Sequence, residues 1–352
     1  MNKLITTTAA LAIAAVAGTL AGANIAQARD QIQVAGSSTV LPYAKIVAET
    51  FGETYPDFKT PVIESGGSGA GIKDFCKGVG ENSIDIANAS RAMKSTELQS
   101  CIDAGVKDVQ EVRIGYDGIV FATDINGPDW KLTPVDVYKA VAAQIVVDGK
   151  LVSNPYTKWN EVNSALPDWD IAAYIPGEKH GTREVFEEKL LADGCKESGA
   201  LEVIKAGGAD DKAAATTCIA VRKDGKVVDI DGDYSETLAR ISANKSGVGV
   251  FGLSFYENNA DKLKVATVND IVPTADTIAK GEYPVSRPLF FYVKKAHLGV
   301  IPGLKEYVEF FLSDQMVGDE SPLADYGLVP APEAERKEQR DAFAAGTVMQ
   351  VK

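Results

Sequence analysis

The chain has 352 residues, of which 45% are hydrophobic and 24% charged, with a formal net charge of −13. That length suits about two domains, each able to bury a core. The acidic balance is a poor match to nucleic acid or an anionic membrane, because both require basic surface.

Residues 1–28 read as an export signal. Lys3 supplies the positive start, residues 11–23 are uncharged and apolar, and Ala26-Gln27-Ala28 places small residues two apart, as signal peptidase requires. The apolar run is too short and too rich in Ala and Gly to span a bilayer, which takes about 20 strongly apolar residues. No cysteine follows it, so the expectation is a free periplasmic protein, not a lipid-anchored one, beginning near Arg29. Removing this segment, whose only charged side chain is Lys3, leaves 324 residues and moves the net charge from −13 to −14. An acidic exterior does not exclude an anionic ligand, because backbone N–H groups and helix ends can hold an anion in a buried site.

Strands and helices then alternate. Residues 31–35 form a short alternating strand, and residues 40–53 a helix with Leu41, Ala44, Val47, Ala48 and Phe51 on one face. A strand at 60–64 leads through the glycine-rich stretch 65–71 into a helix carrying Ile72, Phe75 and Val79. Further strands are expected at 84–89, 109–114 and 118–123, with a helix at 95–104. Beyond them, helices fall at 134–143, 183–191 and 235–242 and strands at 171–175, 248–251 and 289–294. A strongly amphipathic helix covers 304–312, and the charged tail 333–352 reads as a solvated helix. This alternation predicts an α/β protein with helices on both faces of a sheet.

The four cysteines fall as two pairs, Cys76 with Cys101 and Cys195 with Cys218. An oxidising compartment turns such pairs into disulfides, although the connectivity is not readable from spacing. The C-x-x-C spacing of a metal site is absent.

Three places share one design, in which a strand ends, small hydroxyl or glycine residues follow, and a helix begins. They are Gly36-Ser37-Ser38-Thr39-Val40-Leu41-Pro42, Ser65-Gly66-Gly67-Ser68-Gly69-Ala70-Gly71 and His180-Gly181-Thr182-Arg183. Ser and Thr cap helices well and Pro fits a first turn. Any one of these is an ordinary turn. Three converging would make a pocket of N–H and hydroxyl donors suited to a tetrahedral oxyanion. The second is not a nucleotide loop, because Gly71 is followed by Ile72-Lys73 and not Lys-Ser or Lys-Thr.

Together with Ala89-Ser90-Arg91, Gly115-Tyr116-Asp117-Gly118 and Val285-Ser286-Arg287-Pro288-Leu289, these stretches resemble, in order, the periplasmic phosphate-binding proteins of ABC importers. The resemblance runs from about residue 31 to 330. It implies a type II periplasmic-binding fold of two α/β lobes joined by two crossing strands, with the ligand cleft between them. Lobe 1 would comprise 29–120 and 290–352, and lobe 2 residues 121–289. It further implies inorganic phosphate as ligand, membrane permease subunits as partner, a monomeric state, no cofactor or metal, and no enzymatic activity.

Carried over position by position, Ser38, Thr39 and the Val40 N–H match the first binding loop and Ser68 the second. Gly181 and Thr182 match the Ser-Gly-Thr motif, with His180 where the family usually has Ser. Two positions depart from the best-known branch. The residue after Ser90 is usually an Asp that accepts a proton from phosphate, and here it is Arg91. An Arg usually stands four residues before the motif, and here it is Pro176, with Arg183 as the compensating cation. Arg91 and Arg183 are both suited to bidentate hydrogen bonds with phosphate. Asp117 is the candidate proton acceptor, with the alternative that it salt-bridges and orients Arg91. His180 either donates to the ligand, giving pH dependence near 6.5, or sits at the rim.

The rivals are another oxyanion (sulfate, arsenate or molybdate) or a secreted phosphatase. Two-metal hydrolysis needs several His and Asp ligands, and the chain has only His180 and His297. Ser65–Ser68 falls short of a nucleophile elbow, because Ala70 replaces the required glycine. Asp229, Asp231 and Asp233 mimic the start of a calcium loop, but Tyr234 and Arg240 occupy its Gly and Glu positions. Trp130, Trp159 and Trp169 read as packing residues.

Overall fold

The computed structural model describes residues 29–80, 82–177, 182–231 and 234–351. The proposed signal 1–28, His180, Gly181 and Asp233 lie outside the described residues.

One nine-stranded mixed sheet organises the molecule. Its strands are β1 (Gln33–Gly36), β2 (Val62–Ser65), β3 (Ile86–Ala89), β4 (Val109–Asp124), β5 (Ala173–Pro176), β6 (Val227–Ile230), β7 (Val248–Gly252), β8 (Leu263–Val265) and β9 (Ser286–Lys294). They run in the order β2-β1-β3-β9-β4-β7-β5-β6, with β8 also on β4. The β1–β2, β1–β3, β7–β5 and β5–β6 pairs are parallel, while β9 and β4 run antiparallel to their neighbours. Parallel pairs need covered faces, and β3 and β7 are buried throughout, with helix 68–75 packed on the first and helix 234–243 on the second.

The sequence pattern divides β4 in two, yet it is a single strand of 16 residues. Its first part, Val109–Gly118, pairs with β9, and the next residues, Ile119–Ala122, pair with β7. The chain thereby passes from one lobe to the other without a break. Gly115 makes this possible, because its φ of +144° favours glycine and an added Cβ would lie 2.8 Å from the Val329 carbonyl.

Apolar packing changes hands at the same place. Val34, Val47, Phe51, Phe291, Tyr307 and Phe311 belong to one core, flanked by a smaller cluster around Ile72, Phe75 and Tyr292. Trp130, Tyr138, Trp159, Phe186 and Phe251 belong to another, which takes over from Tyr116 onward. Trp130 and Trp159 are thus core residues, as expected, with Trp169 against their edge. Mixed α/β layers in two lobes joined by β4 and β9 constitute the type II periplasmic-binding fold.

Cys76–Cys101 and Cys195–Cys218 are both disulfides. Each ties neighbouring helices, 68–75 to 95–103 and 193–197 to 211–219. At the other end of lobe 1, Arg29 donates twice to the fully buried Asp85, which also accepts from the Gln33 N–H and contacts His297 Nδ1 at 2.6 Å.

The tail is not the freely solvated helix its composition predicts. Glu333–Ala344 lies on β4 with Phe343 and Arg336 buried. Arg336 binds Asp314, Asp319 and the Ala331 carbonyl, while Glu335 binds Arg113 and the Tyr116 hydroxyl. A short apolar stripe and specific ion pairs outweigh the polar average.

Candidate functional site

The first two strand-to-helix junctions lie side by side, for a steric reason. Helix 68–75 packs on the end of β1 so closely that a Cβ on Gly71 would meet Gly36 Cα at 2.4 Å. Two glycines in contact therefore set the spacing of the two loops. In the first loop, Ser37 supplies the capping oxygen, accepting from the Thr39 and Val40 N–H groups at 3.2 and 3.3 Å. That leaves the Ser38 and Thr39 hydroxyls to face outward from lobe 1. The Val40 N–H, expected to meet a ligand, already has this internal partner. In the second loop, Ser68 Oγ accepts from the Ser90 N–H at 3.1 Å and lies 3.2 Å from the Ser90 hydroxyl.

Lobe 2 contributes the third junction. Thr182 precedes a continuous helical stretch over 183–197 with a wider π-turn in its middle. The Tyr234 hydroxyl donates to Thr182 Oγ1 at 3.3 Å. From the first turn of this helix Glu184 reaches across the cleft, and Ser38 Oγ and Thr39 Oγ1 donate to its Oε2 at 3.2 and 3.1 Å.

The crossing strands form the floor. Asp117 of β4 and Arg287 of β9 are directly opposed in the antiparallel register, and they are 1% and 6% exposed. Arg287 Nη2 donates to Thr39 Oγ1 at 2.6 Å and reaches Glu184 Oε2 at 3.4 Å, while Nη1 donates to Glu188 Oε2 at 3.1 Å. Among the described residues, Asp117 Oδ2 and Arg287 Nε are buried with no hydrogen-bond partner. Burial pushes the Asp117 carboxyl up to about 6; Arg287 opposes this rise and Glu184 adds to it. Tyr43 and Tyr234 close the surroundings, and burial holds both phenols in the neutral form.

One acceptor without a donor thus lies across a strand pair from one donor without an acceptor. Buried polar groups are normally satisfied, and a molecule that brings both a hydroxyl and an oxygen would satisfy these two atoms together.

The two arginines singled out in the sequence are both held by carboxylates. Arg91 makes a two-pronged pair with Glu97 at 2.8 and 2.9 Å and donates to the Ala92 carbonyl. It does not pair with Asp117, which faces Arg287 instead. Arg183 is 6% exposed and held by Asp229, Glu187 and the Pro176 carbonyl. Both guanidinium groups spend their fork on carboxylates of their own lobe. Asp229 is accordingly an ion-pair partner of Arg183 and Lys223, and no group of three His, Cys, Asp or Glu side chains that could hold a metal occurs among the described residues.

Arg287, Glu184, Tyr43 and Tyr234 are the site residues that sequence reasoning missed. Arg287 lies in a stretch already noted for its resemblance, but only the strand register shows that it opposes Asp117.

The sequence profile of the PBP superfamily domain matches residues 21–315. The phosphate-binding protein PstS of Staphylococcus haemolyticus is 31% identical over 86% of this chain and 82% of its own length. Protein SphX of Synechococcus elongatus is 31% identical over 92% and 84%. Among solved structures, a possible phosphate binding protein from Planctomyces limnophilus is 27% identical with a TM-score of 0.67, covering 91% of this chain and 99% of that one. An ABC-type phosphate transport receptor from Vibrio cholerae, 22% identical with a TM-score of 0.53 over 81% and 95%, shares the fold. By profile, identity and coverage, this chain belongs to the PBP superfamily and, within it, to the family of PstS phosphate-binding proteins.

Proposed function

We propose that this protein captures inorganic phosphate in the cleft between its lobes and delivers it to the permease subunits of an ABC importer, without a catalytic step. The observation that carries the reading is the unmet pair on the floor, Asp117 Oδ2 and Arg287 Nε. Hydrogen phosphate matches both, offering a hydroxyl to the carboxylate and an oxygen to the guanidinium. Sulfate at neutral pH carries no proton, so it would face the Asp117 carboxylate with charge repulsion and an unmet acceptor, costing several kcal/mol.

Around that pair, Ser38, Thr39, Ser68 and Thr182 supply hydroxyls, with Gly181 and His180 beside them in the chain. The Val40 N–H is the weaker candidate because of its bond to Ser37. Arg287 takes the role of nearest cation, and Arg91 and Arg183 shape the surrounding field while fixing Glu97, Asp229 and Glu187. The names of the relatives in Staphylococcus and Planctomyces support the ligand class.

The boundary between lobes is placed near residues 115–120 in β4 and 286–290 in β9, giving 29–120 with 290–352 and 121–289. Export by a cleaved signal, a monomeric state and a free, unanchored mature chain complete the reading. No helix of the described residues is long and apolar enough to cross a membrane.

The test is calorimetric titration of ligand-stripped mature protein with phosphate, sulfate and arsenate at pH 7. One-to-one phosphate binding without sulfate heat is expected. Heat from none of the three would overturn the assignment.

A further inference from the structure

Glu184 stands where an anion would stand. Its Oε2 collects the Ser38 hydroxyl, the Thr39 hydroxyl and Arg287 Nη2, at 3.2, 3.1 and 3.4 Å. Two of these donors come from lobe 1 and the third from the crossing strand, whereas Glu184 itself belongs to lobe 2. A carboxylate is an oxyanion, and here it occupies the donor set that a ligand oxygen would use.

The backbone beneath it is fixed while the side chain has room to leave. The neighbouring Arg183 is clamped by Asp229, Glu187 and the Pro176 carbonyl, yet the Glu184 side chain retains 44% of its exposure against 6% for Arg287. Asp117 and Glu188 add two further carboxylates around Arg287. Three carboxylates, Asp117, Glu184 and Glu188, thus surround the Arg287 guanidinium, and that of Glu184 is matched with donors.

We propose that Glu184 is an internal stand-in for the ligand, a residue whose carboxylate fills the oxyanion seat, bridges the lobes and must be displaced by any incoming anion. This rests on the phosphate reading above. Displacement lowers the apparent affinity of every anion by the same factor, the fraction of molecules with a vacant seat, so a weakly held anion such as chloride no longer binds at concentrations where phosphate still does. The same contact keeps the lobes together without ligand.

The test uses the mature protein and its Glu184→Gln and Glu184→Ala variants. Phosphate affinity is measured by calorimetry, and the radius of gyration of each ligand-free form by X-ray scattering. Loss of the competing charge should tighten phosphate binding about tenfold in both variants, and both ligand-free variants should be more expanded than the wild type. Unchanged or weaker phosphate binding in both variants overturns the proposal, as does a ligand-free wild type already as expanded as the variants. If no form binds phosphate, the functional reading fails instead, and the scattering comparison alone decides whether Glu184 holds the lobes together.

Discussion

Replacing Asp117 by Asn separates recognition of the ligand's proton from recognition of its shape, because the two side chains are nearly isosteric. In the free protein the Asp117 carboxyl is raised from 3.8 to about 6 by burial. At about 1.4 kcal/mol per pH unit, the ionised form carries a penalty on the order of 3 kcal/mol. The folded state holds this proton more tightly than the unfolded one, so the penalty is absent below about pH 4, grows as pH rises towards 6 and is full above it. The Asn variant lacks an ionisable group here, so it should unfold at higher denaturant concentration than the wild type at pH 8, with the gap closing by pH 4. Binding should move the other way. A hydrogen bond to a charged acceptor contributes about 1.5–3 kcal/mol, so phosphate affinity should fall roughly 10- to 150-fold. Sulfate should gain, because the amide can donate to a bare oxygen. Wild-type protein should acquire the same sulfate binding as pH falls below about 6 and Asp117 becomes protonated. Calorimetry with both anions at pH 7.5 and 5.5 reads all of this. An unchanged phosphate-to-sulfate ratio in Asp117→Asn would refute the acceptor role.

Two other outcomes follow from the same geometry. Arg287→Lys keeps the charge but loses the fork that reaches Thr39 and Glu188 and leaves Nε for a ligand; phosphate affinity should fall about 10- to 100-fold with the fold retained, and equal affinity would remove Arg287 from the seat. Converting both Cys195 and Cys218 to Ser opens a loop with a sequence separation of 23, which should cost about 3 kcal/mol in denaturant unfolding, and an unshifted midpoint would contradict it.

The parts of the fold legible in the sequence were those governed by local periodicity. Leu41, Ala44, Val47, Ala48 and Phe51 mark the buried side of helix Leu41–Thr54, and all but Leu41 are buried. The glycine-rich stretches correctly marked where loops approach one another, since Gly36 and Gly71 are in contact. Strand β4 was read as two because Gly115 and Gly118 weaken a strand pattern, whereas here they permit close packing in a continuous one. Of the candidate site, the three donor loops and Asp117 are legible in the sequence as expectations. Arg287 is not, because it meets Asp117 only through a register between strands 170 positions apart in sequence. The partners of Arg183 are hidden for a similar reason, since Asp229 lies 46 residues away.

The helix Glu333–Ala344 straps one side of the crossing. Its Glu335 holds Arg113 and Tyr116, its Gln339 accepts from the Arg113 N–H, and its Phe343 carbonyl accepts from Gln110. These ties stop at Tyr116, one residue short of Asp117. A hinge placed where the strap ends would lie at the cleft floor. Near a pivot, angular motion produces almost no displacement, while the distant lips sweep through an arc. The groups that judge the ligand's proton can stay still as the entrance opens and shuts, and their geometry need not be rebuilt in each cycle of capture and release.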